Sequence, residues 1–297
     1  MLTVLGCDFT SRATRQKPIT LAVASVGLEP QSKSKSKRIN KNAFTNTLEI
    51  ELHEILSYSN SQDFEYALSS DAFGVKAHWV GGFDLPFGLP RELVLALGWP
   101  TQWERCMAHF CSLERSEIRN LFKAFCDKRA VGSKFAHRAS DYIAQSSPSM
   151  KWVNPPVAYM MHAGVPVLIK ANLTLPGLRV GDPSRVGLEA YPGMLAREIV
   201  GNKSYKSDDK QKQNKERLQA RHSILKALVT GKHSLEFKLK TSKALLNQML
   251  EDASGDSLDA LLCAVQAAWG AVQFEHGDEY YGLAKDMDPL EGWILTC

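Results

Sequence analysis

The sequence predicts an α/β protein in which helices flank a mixed β-sheet. Short β-rich segments are spread along the chain, and helical segments separate the later ones. The predicted order is three strands, a short helix, a fourth strand, a helical block, a fifth strand and further helices. Strands 1–3 are expected to be antiparallel and strands 4 and 5 parallel, which makes a five-stranded mixed sheet.

Length and composition fit one globular domain over residues 1–297. Of the 297 residues, 44% are apolar and 23% charged, so the chain can bury a substantial core. No uncharged apolar stretch reaches the ~18 residues of a membrane span, so no membrane association is expected. The six cysteines form no CxxC pair, which indicates reduced thiols in a cytoplasmic protein rather than zinc ligands or disulfides.

The N-terminal part is predicted to form three strands. Residues 2–9 and 19–27 are β-rich, and the polar, basic stretch 10–18 between them makes a hairpin with a basic tip. The Lys/Ser run at 31–38 has no apolar anchor and is predicted to be a loop. Residues 47–56 alternate apolar and polar side chains, as a half-exposed strand does.

The middle of the chain changes to a helical pattern. After a short helix, a fourth strand at 77–84 ends on an acid, and prolines then break the chain. Residues 90–145 are helical, with one long helical segment at 103–129, and residues 156–176 mix a short helix with extended chain. Region 90–175 is therefore interpreted as a mainly helical insertion between strands 4 and 5.

The last third contains one strand and four helices. Residues 185–191 are predicted to be the fifth strand, and a helix follows at 192–201 with proline in its permitted first turn. Residues 208–229 and 234–250 look like two amphipathic helices, and the final helix is expected from about 256 to 274.

Asp8 stands at the end of the first predicted strand. The strand residues before it are apolar, so its carboxylate lies at the edge of a core and needs a metal, a base or hydrogen-bond donors. The alternative is a turn cap, in which the carboxylate accepts from the backbone N–H groups of Thr10 and Ser11.

Two further acids lie at or near predicted strand ends. Asp84 follows paired glycines, which let another backbone approach closely, and Glu189 lies in the fifth strand, where solvation alone does not explain an acid. The alternatives are an Asx-turn at Asp84 and an ion pair between Glu189 and an arginine. Arg138 and Asp141, at i and i+3, are expected to form a structural pair.

Asp256 and Asp259 open the final helix, and their i, i+3 spacing places them on one face. Residues 260–272 carry no charge, so this helix is expected to be buried nearly all round, with Asp259 projecting from it. The alternative is helix capping, with Asp256 as the N-cap and Asp259 in the first turn.

Taken together, these acids predict a divalent-metal site. Carboxylates brought together repel one another unless they are protonated or bridged by cations. Oxygen ligands without a matching set of His and Cys favour Mg²⁺ or Mn²⁺ over zinc. Two such ions ~4 Å apart can activate a water and stabilise the leaving oxygen of a phosphodiester.

Basic residues are concentrated in two segments. Residues 31–42 hold five Lys or Arg and no acid, and residues 203–240 hold eleven against four acids, which leaves a net charge of −8 on the remainder. This is either a phosphate-binding footprint on an acidic body or a solvated loop and helix face. The candidate phosphate- or nucleic-acid-binding residues are Arg12, Arg15 and Lys17 on the first hairpin, and Lys203, Lys206, Arg217 and Arg221 in the second segment.

Four segments, in order, resemble a predicted RNase H-like nuclease family long catalogued as a domain of unknown function: GCDFTSRATRQKPIT, GGFDLPFGLP, LEAYPGMLAREIVG and DSLDALLCAVQAAW. The resemblance spans most of the chain. It implies an RNase H-like fold, with three antiparallel strands followed by parallel strands interleaved with helices. It also implies Asp8, Asp84 and Asp259 as metal ligands, with Glu189 and Asp256 as further candidates.

Three functions follow from these features. The first is a Mg²⁺- or Mn²⁺-dependent nuclease or phosphodiesterase acting on DNA or RNA, in which Asp8, Asp84 and Asp259 bind metal and Glu189 binds or orients the attacking water. The second is an actin-like relative that binds or hydrolyses a nucleotide, with the basic first hairpin holding the phosphates. The third is a non-catalytic nucleic-acid-binding protein, whose acids are caps and ion pairs.

Overall fold

The computed structural model describes residues 1–27, 48–73 and 78–297 of the chain. The predicted loop at 31–38 and the wider basic segment 31–42 lie outside the described residues.

A mixed seven-stranded sheet forms the centre of the fold, in the order β5-β6-β4-β1-β2-β3-β7. The strands are β1 (Leu2–Asp8), β2 (Ile19–Val26), β3 (Glu49–Tyr58), β4 (Trp79–Asp84), β5 (Leu173–Thr174), β6 (Asp182–Glu189) and β7 (Lys238–Lys240). β2 pairs antiparallel with β1 and β3, whereas all other neighbours are parallel. The α/β class is confirmed. The sheet has two more strands than predicted because β5 and β7 are two and three residues long, too short to show a periodic pattern.

Helices cover both faces of the sheet. They are α1 (Ser61–Ser69), α2 (Arg91–Ala96), α3 (Trp103–Ser112), α4 (Arg115–Asp127), α5 (Ala139–Ala144), α6 (Val157–Lys170), α7 (Pro192–Val200), α8 (Lys215–Thr230), α9 (Lys243–Glu251) and α10 (Asp256–Glu275). In the parts of the chain that the structure describes, no helix has the length and apolar character needed to cross a bilayer.

Each face of the sheet has its own apolar core. Side chains of α1–α4 and α6 pack on one face, and side chains of α7–α10 pack on the other. All eight residues of β2 are buried, as expected for an interior strand of a sheet that helices cover on both faces. The six cysteines are free thiols, and four of them are buried.

Helix caps divide the chain differently from its hydrophobic periodicity. The predicted long helix at 103–129 is two helices, since Glu114 forms a capping box at the start of α4. α8 begins later than predicted, after its N-cap Asn214. Segment 234–250 contains β7 first, and α9 begins only after its N-cap Ser242. In each case a local polar side chain decides where the helix starts.

The approach of α10 to the sheet depends on two glycines. Gly6 in β1 and Gly82 in β4 are register partners. A Cβ at Gly6 would lie 2.0 Å from the carbonyl oxygen of Ala260, and one at Gly82 would lie 2.5 Å from that of Cys263. Only glycine therefore lets the α10 backbone lie directly on these strands, as the paired glycines predicted. This contact brings the first turn of α10 to the carboxyl ends of β1 and β4.

Candidate carboxylate site

Asp8 and Asp84 are the last residues of the neighbouring parallel strands β1 and β4, and they are register partners. Adjacent strands lie ~4.8 Å apart and register partners point to the same face, so the two carboxylates stand side by side. Asp8 is only 9% exposed. Among the described residues, neither carboxylate has a hydrogen-bond or ion-pair partner, so the alternatives of a turn cap at Asp8 and an Asx-turn at Asp84 are not formed.

Asp259 joins this pair from α10. Asp8 and Asp84 follow Gly6 and Gly82 by two residues, so all four positions face α10. The Asp259 side chain is fully buried and receives two donors from the segment after α7. Tyr205 Oη donates to Asp259 Oδ1 at 2.5 Å, and the ammonium of Lys206 forms an ion pair with Asp259 Oδ2.

The electrostatics of the group show a shortage of positive charge. Burial raises the pKa of Asp8 well above its ordinary value, and the charge of Asp259 raises it further while Lys206 opposes the rise. Burial raises the pKa of Asp84 to about 7, again with Lys206 opposing the rise. One ammonium thus serves three clustered carboxylates, and two of these, the buried Asp8 and the half-buried Asp84, have no hydrogen-bond or ion-pair partner among the described residues. Such a cluster favours the binding of a further cation.

Asp256 lies on the rim of the group, where Lys17 from the first hairpin reaches it. The Lys17 ammonium is 2.8 Å from Asp256 Oδ1 and 2.8 Å from Asp208 Oδ1. Lys17 is therefore beside the acids, as its place on the hairpin suggested, but it is held by two of them. Burial raises the pKa of Asp256, and the hydrogen bond and charge of Lys17 oppose that rise.

The helix-capping alternative holds only in part: Asp259 lies in the first turn of α10, as that alternative expected, but Asp256 also lies in the first turn and is not the N-cap. The N-cap of α10 is Gly255, whose φ of 82° is left-handed. Asp252 supplies the side-chain acceptor instead, since its Oδ2 accepts from the Ser257 N–H at 2.8 Å. The capping alternative for Asp256 is thus wrong, because the chain turns one residue earlier and uses a different acid.

Glu189 lies on the opposite face of the sheet. Its register partner is Phe83, so its side chain points away from the face that Asp84 occupies. Its carboxylate accepts from Arg138 at 2.6 and 2.8 Å, and both residues are buried. Arg138 also pairs with Asp141 at 2.8 Å, which confirms the expected structural pair. The structure therefore does not bring Glu189 together with the strand-end aspartates, and its place is that of an arginine partner.

The other predicted basic residues differ in their surroundings. Arg12, Arg15 and Lys203 are exposed and have no hydrogen-bond or ion-pair partner within the described ranges. Arg217, in the first turn of α8, donates to the Ser204 hydroxyl at 3.2 Å and to the backbone carbonyl of Lys212 in the segment before the helix.

Arg221 is only 4% exposed, and its guanidinium donates to the backbone carbonyls of Leu250 and Tyr205 at 2.9 and 2.8 Å. It cannot contact a nucleic-acid backbone. The prediction for Arg221 is corrected because α8 turns this residue inward, against α9 and the Tyr205 segment.

A pocket of about 250 Å³ opens beside the hairpin, between the end of β1 and the start of α1. Thr10, Ser11 and Arg12 line it on one side, and Asn60 and Gln62 line it on the other. None of the strand-end aspartates lines this pocket, and α1 and α6, which contribute to its wall, cover the face of the sheet opposite α10.

Tyr205 is the residue of this site that the sequence did not predict. It is 54 positions from Asp259, so no local pattern links the two. A tyrosine among lysines in a loop carries no sequence pattern that marks a site residue. Its role becomes visible only in the contact between that loop and α10.

The donor set fits a hard divalent ion that keeps water ligands. Within residues 1–27, 48–73 and 78–297, no group of three or more His, Cys, Asp and Glu side chains forms a ready metal cage. Mg²⁺ commonly binds to one or two carboxylates and completes its shell with water and substrate phosphate. Asp8 and Asp84, whose oxygens are all free of protein donors, match that requirement.

Comparison of the chain with family models, with curated proteins and with solved structures finds no match.

Proposed function

We propose that this protein is a Mg²⁺- or Mn²⁺-dependent phosphodiesterase of RNase H-like fold that acts on nucleic acid, related to the predicted RNase H-like nuclease family that its four motifs resemble. The observation that carries the proposal is the pairing of Asp8 and Asp84. Two adjacent, unpartnered carboxylates at the ends of parallel strands are costly unless a cation joins them.

The sheet supports the same proposal. β1–β3 are antiparallel, and β4 and β6 continue the sheet parallel to β1. Acids end β1 and β4 and open a late helix, which is the distribution that the RNase H-like resemblance implies. Helices α2–α6 lie between β4 and β6 in the chain, and we interpret them as the insertion.

In this proposal Asp8 and Asp84 would hold the metal ion, with Asp259 beside them. A bound Mg²⁺ or Mn²⁺ lowers the pKa of a coordinated water and stabilises negative charge on a phosphate. Lys17 and Lys206 add positive charge at the rim, where it attracts an anionic substrate. Asp256 orients Lys17 through their ion pair and is a weaker candidate than the other three aspartates as a metal ligand.

Nucleic acid is the proposed partner because exposed lysine side chains lie along the segment that contains Lys206. Lys203, Lys210, Lys212 and Lys215 are all exposed there. The body outside the two basic segments is acidic, so this positive surface is local. Exposed lysines of this kind bind the phosphates of a nucleic-acid backbone without distinguishing nucleotide sequence.

The test is cleavage of labelled single-stranded DNA, double-stranded DNA, RNA and an RNA–DNA hybrid, each with Mn²⁺ or with EDTA. The proteins are wild type, Asp8→Asn, Asp84→Asn and the control Asp286→Asn, which changes an exposed acid with no partner among described residues. We expect Mn²⁺-dependent cleavage that falls at least ~100-fold in the two site variants, the order of loss when one preorganised electrostatic group is removed. Asp286→Asn should retain it.

Binding of nucleic acid without cleavage, unchanged by Asp8→Asn, would sink the catalytic proposal. Turnover of ATP without cleavage would favour the nucleotide-binding alternative instead.

A further inference from the structure

Lys206 is a cation built into the carboxylate group. Its ammonium is paired with Asp259, and its charge also lowers the pKa of both Asp8 and Asp84. It is therefore close enough to act on all three acids. Its side chain remains 41% exposed, so a substrate can reach it from solvent.

The structure seats this lysine on both sides. The aliphatic stem lies over the start of α10, where a Cβ at Gly255 would be 2.7 Å from Lys206 Cβ. The preceding residue, Tyr205, is fixed by its hydroxyl on Asp259 and by its carbonyl oxygen, which accepts from Arg221 at 2.8 Å. Lys206 is thus positioned by the fold, unlike the exposed lysines of the same segment.

Charge balance limits what else the group can hold. Asp8, Asp84 and Asp259 carry three negative charges when ionised, and Lys206 offsets one of them. One divalent ion neutralises the remaining two charges, whereas two divalent ions would leave an excess of positive charge in a buried site. Asp256 is left out of this count because it is paired with Lys17, which it shares with the exposed Asp208.

We propose that the site binds a single divalent ion, at Asp8 and Asp84, and that the Lys206 ammonium occupies the place of a second one. This inference rests on the proposed function. The ammonium, held by Asp259, touches the substrate phosphate and stabilises the negative charge that develops on it during cleavage. Asp259 then acts as the positioning residue of Lys206 rather than as a ligand.

The experiment is the Mn²⁺ stoichiometry of the full chain, measured by isothermal titration with and without a phosphorothioate DNA oligonucleotide. Wild type is compared with Lys206→Met and with Lys285→Met, which removes the same charge from an exposed lysine outside the basic segments. We expect one ion per chain in wild type and Lys285→Met, and two in Lys206→Met. Cleavage by Lys206→Met should fall at least ~100-fold and recover in part at Mn²⁺ concentrations above those that saturate wild type.

Two ions in wild type, with metal-dependent cleavage, would overturn this inference and leave the proposed function standing. One ion and undiminished cleavage in Lys206→Met would overturn it as well. No bound ion and no cleavage in wild type would overturn the proposed function and this inference together. The wild-type stoichiometry decides the matter even if Lys206→Met does not fold.

Discussion

Asp8 and Asp84 lie side by side at the ends of the adjacent parallel strands β1 and β4, and within the described part of the chain neither carboxylate accepts a hydrogen bond or forms an ion pair. Natural folds rarely leave a buried acid beside a half-buried one without compensation, because each raises the cost of ionising the other. The close packing of α10 on Gly6 and Gly82 then adds Asp259 to the same place. The fold thus gathers carboxyl groups at the carboxyl ends of two central strands, and this has consequences for stability as well as for activity.

Asp84→Asn should stabilise the metal-free protein while it abolishes cleavage. The substitution removes a buried charge whose pKa is raised to about 7 chiefly by burial, so in EDTA at pH 8 we expect the melting temperature to rise by about 2–4 °C, the shift that ~1 kcal/mol produces in a chain of this order of size. Mn²⁺ should stabilise wild type but not Asp84→Asn. Thermal unfolding of both proteins, with Asp286→Asn as control, measures this. A variant less stable than wild type in EDTA would mean that Asp84 has a stabilising partner.

Gly82→Ala should loosen α10 from the sheet. Its Cβ would lie 2.5 Å from the carbonyl oxygen of Cys263, so helix and strand must separate. We expect a loss of about 1–3 kcal/mol in the free energy of unfolding, together with reduced cleavage, since Asp259 moves with the helix. Urea unfolding gives the first value. Gly27→Ala is the matched control, because a Cβ there meets no described residue within 4 Å and should change neither property.

Glu189→Gln separates a structural role from a catalytic one. Its carboxylate is held by Arg138 on the face away from Asp84, so the amide should lower stability and leave cleavage within about threefold of wild type, as for a residue outside the reacting group. Arg138→Met should lower the free energy of unfolding further, by about 3–5 kcal/mol, because it leaves the buried carboxylates of Glu189 and Asp141 without their cationic partner. If Glu189→Gln instead keeps its stability and loses cleavage, then Glu189 takes part in the reaction as the sequence suggested.

Asp252 should make the start of α10 sensitive to acid. Burial alone would raise the pKa of this carboxyl, but hydrogen bonds from Ser254, Ser257 and Gly255 outweigh it and hold the pKa below its ordinary value. The ionised form therefore contributes stability above the unfolded pKa of ~3.9, and that stability is lost as pH falls through the lower folded pKa. We expect Asp252→Ala to cost about 1 kcal/mol at pH 7 and progressively less below pH ~4. Paired urea titrations of wild type and variant across this range give the difference, and an equal cost at pH 3 and pH 7 would contradict it.

The affinity for nucleic acid should depend on exposed lysine side chains of the protein and not on the buried Arg221. Lys203→Ala and Lys210→Ala should each weaken binding and lower the slope of log affinity against log salt by ~1, which is the contribution of one phosphate contact. Arg221→Ala should leave that slope unchanged and lower the melting temperature, because Arg221 is buried against backbone carbonyls. Fluorescence anisotropy at several salt concentrations measures the slopes, with the exposed Lys285→Ala as control. Slopes equal to that of wild type in all four variants would contradict a binding surface at this segment.

Much of the sheet and of the site follows from local signals. The runs of apolar residues that end on Asp8 and Asp84 mark two strand ends, and the uncharged run after Asp259 marks a buried helix. These features are predictable because periodicity and chain breaks act over a few residues. The helix starts at Glu114 and Ser242 are equally local, but a cap competes with periodicity that continues through it, so the boundaries were missed.

The α/β class, the strand ends that carry Asp8 and Asp84, and the buried helix that carries Asp259 all follow from patterns within the sequence. Which acids meet depends on how the strands pair. A strand points its side chains to alternate faces, so the register of β6 on β4 places Glu189 beside Arg138 and leaves Asp84 with Asp8. The tertiary structure likewise decides that Arg221 is buried and that Lys206 reaches the acids, since both depend on contacts between segments distant in the chain. A local pattern places an ionisable group at the end of a strand or helix, whereas strand register and packing determine which groups surround it.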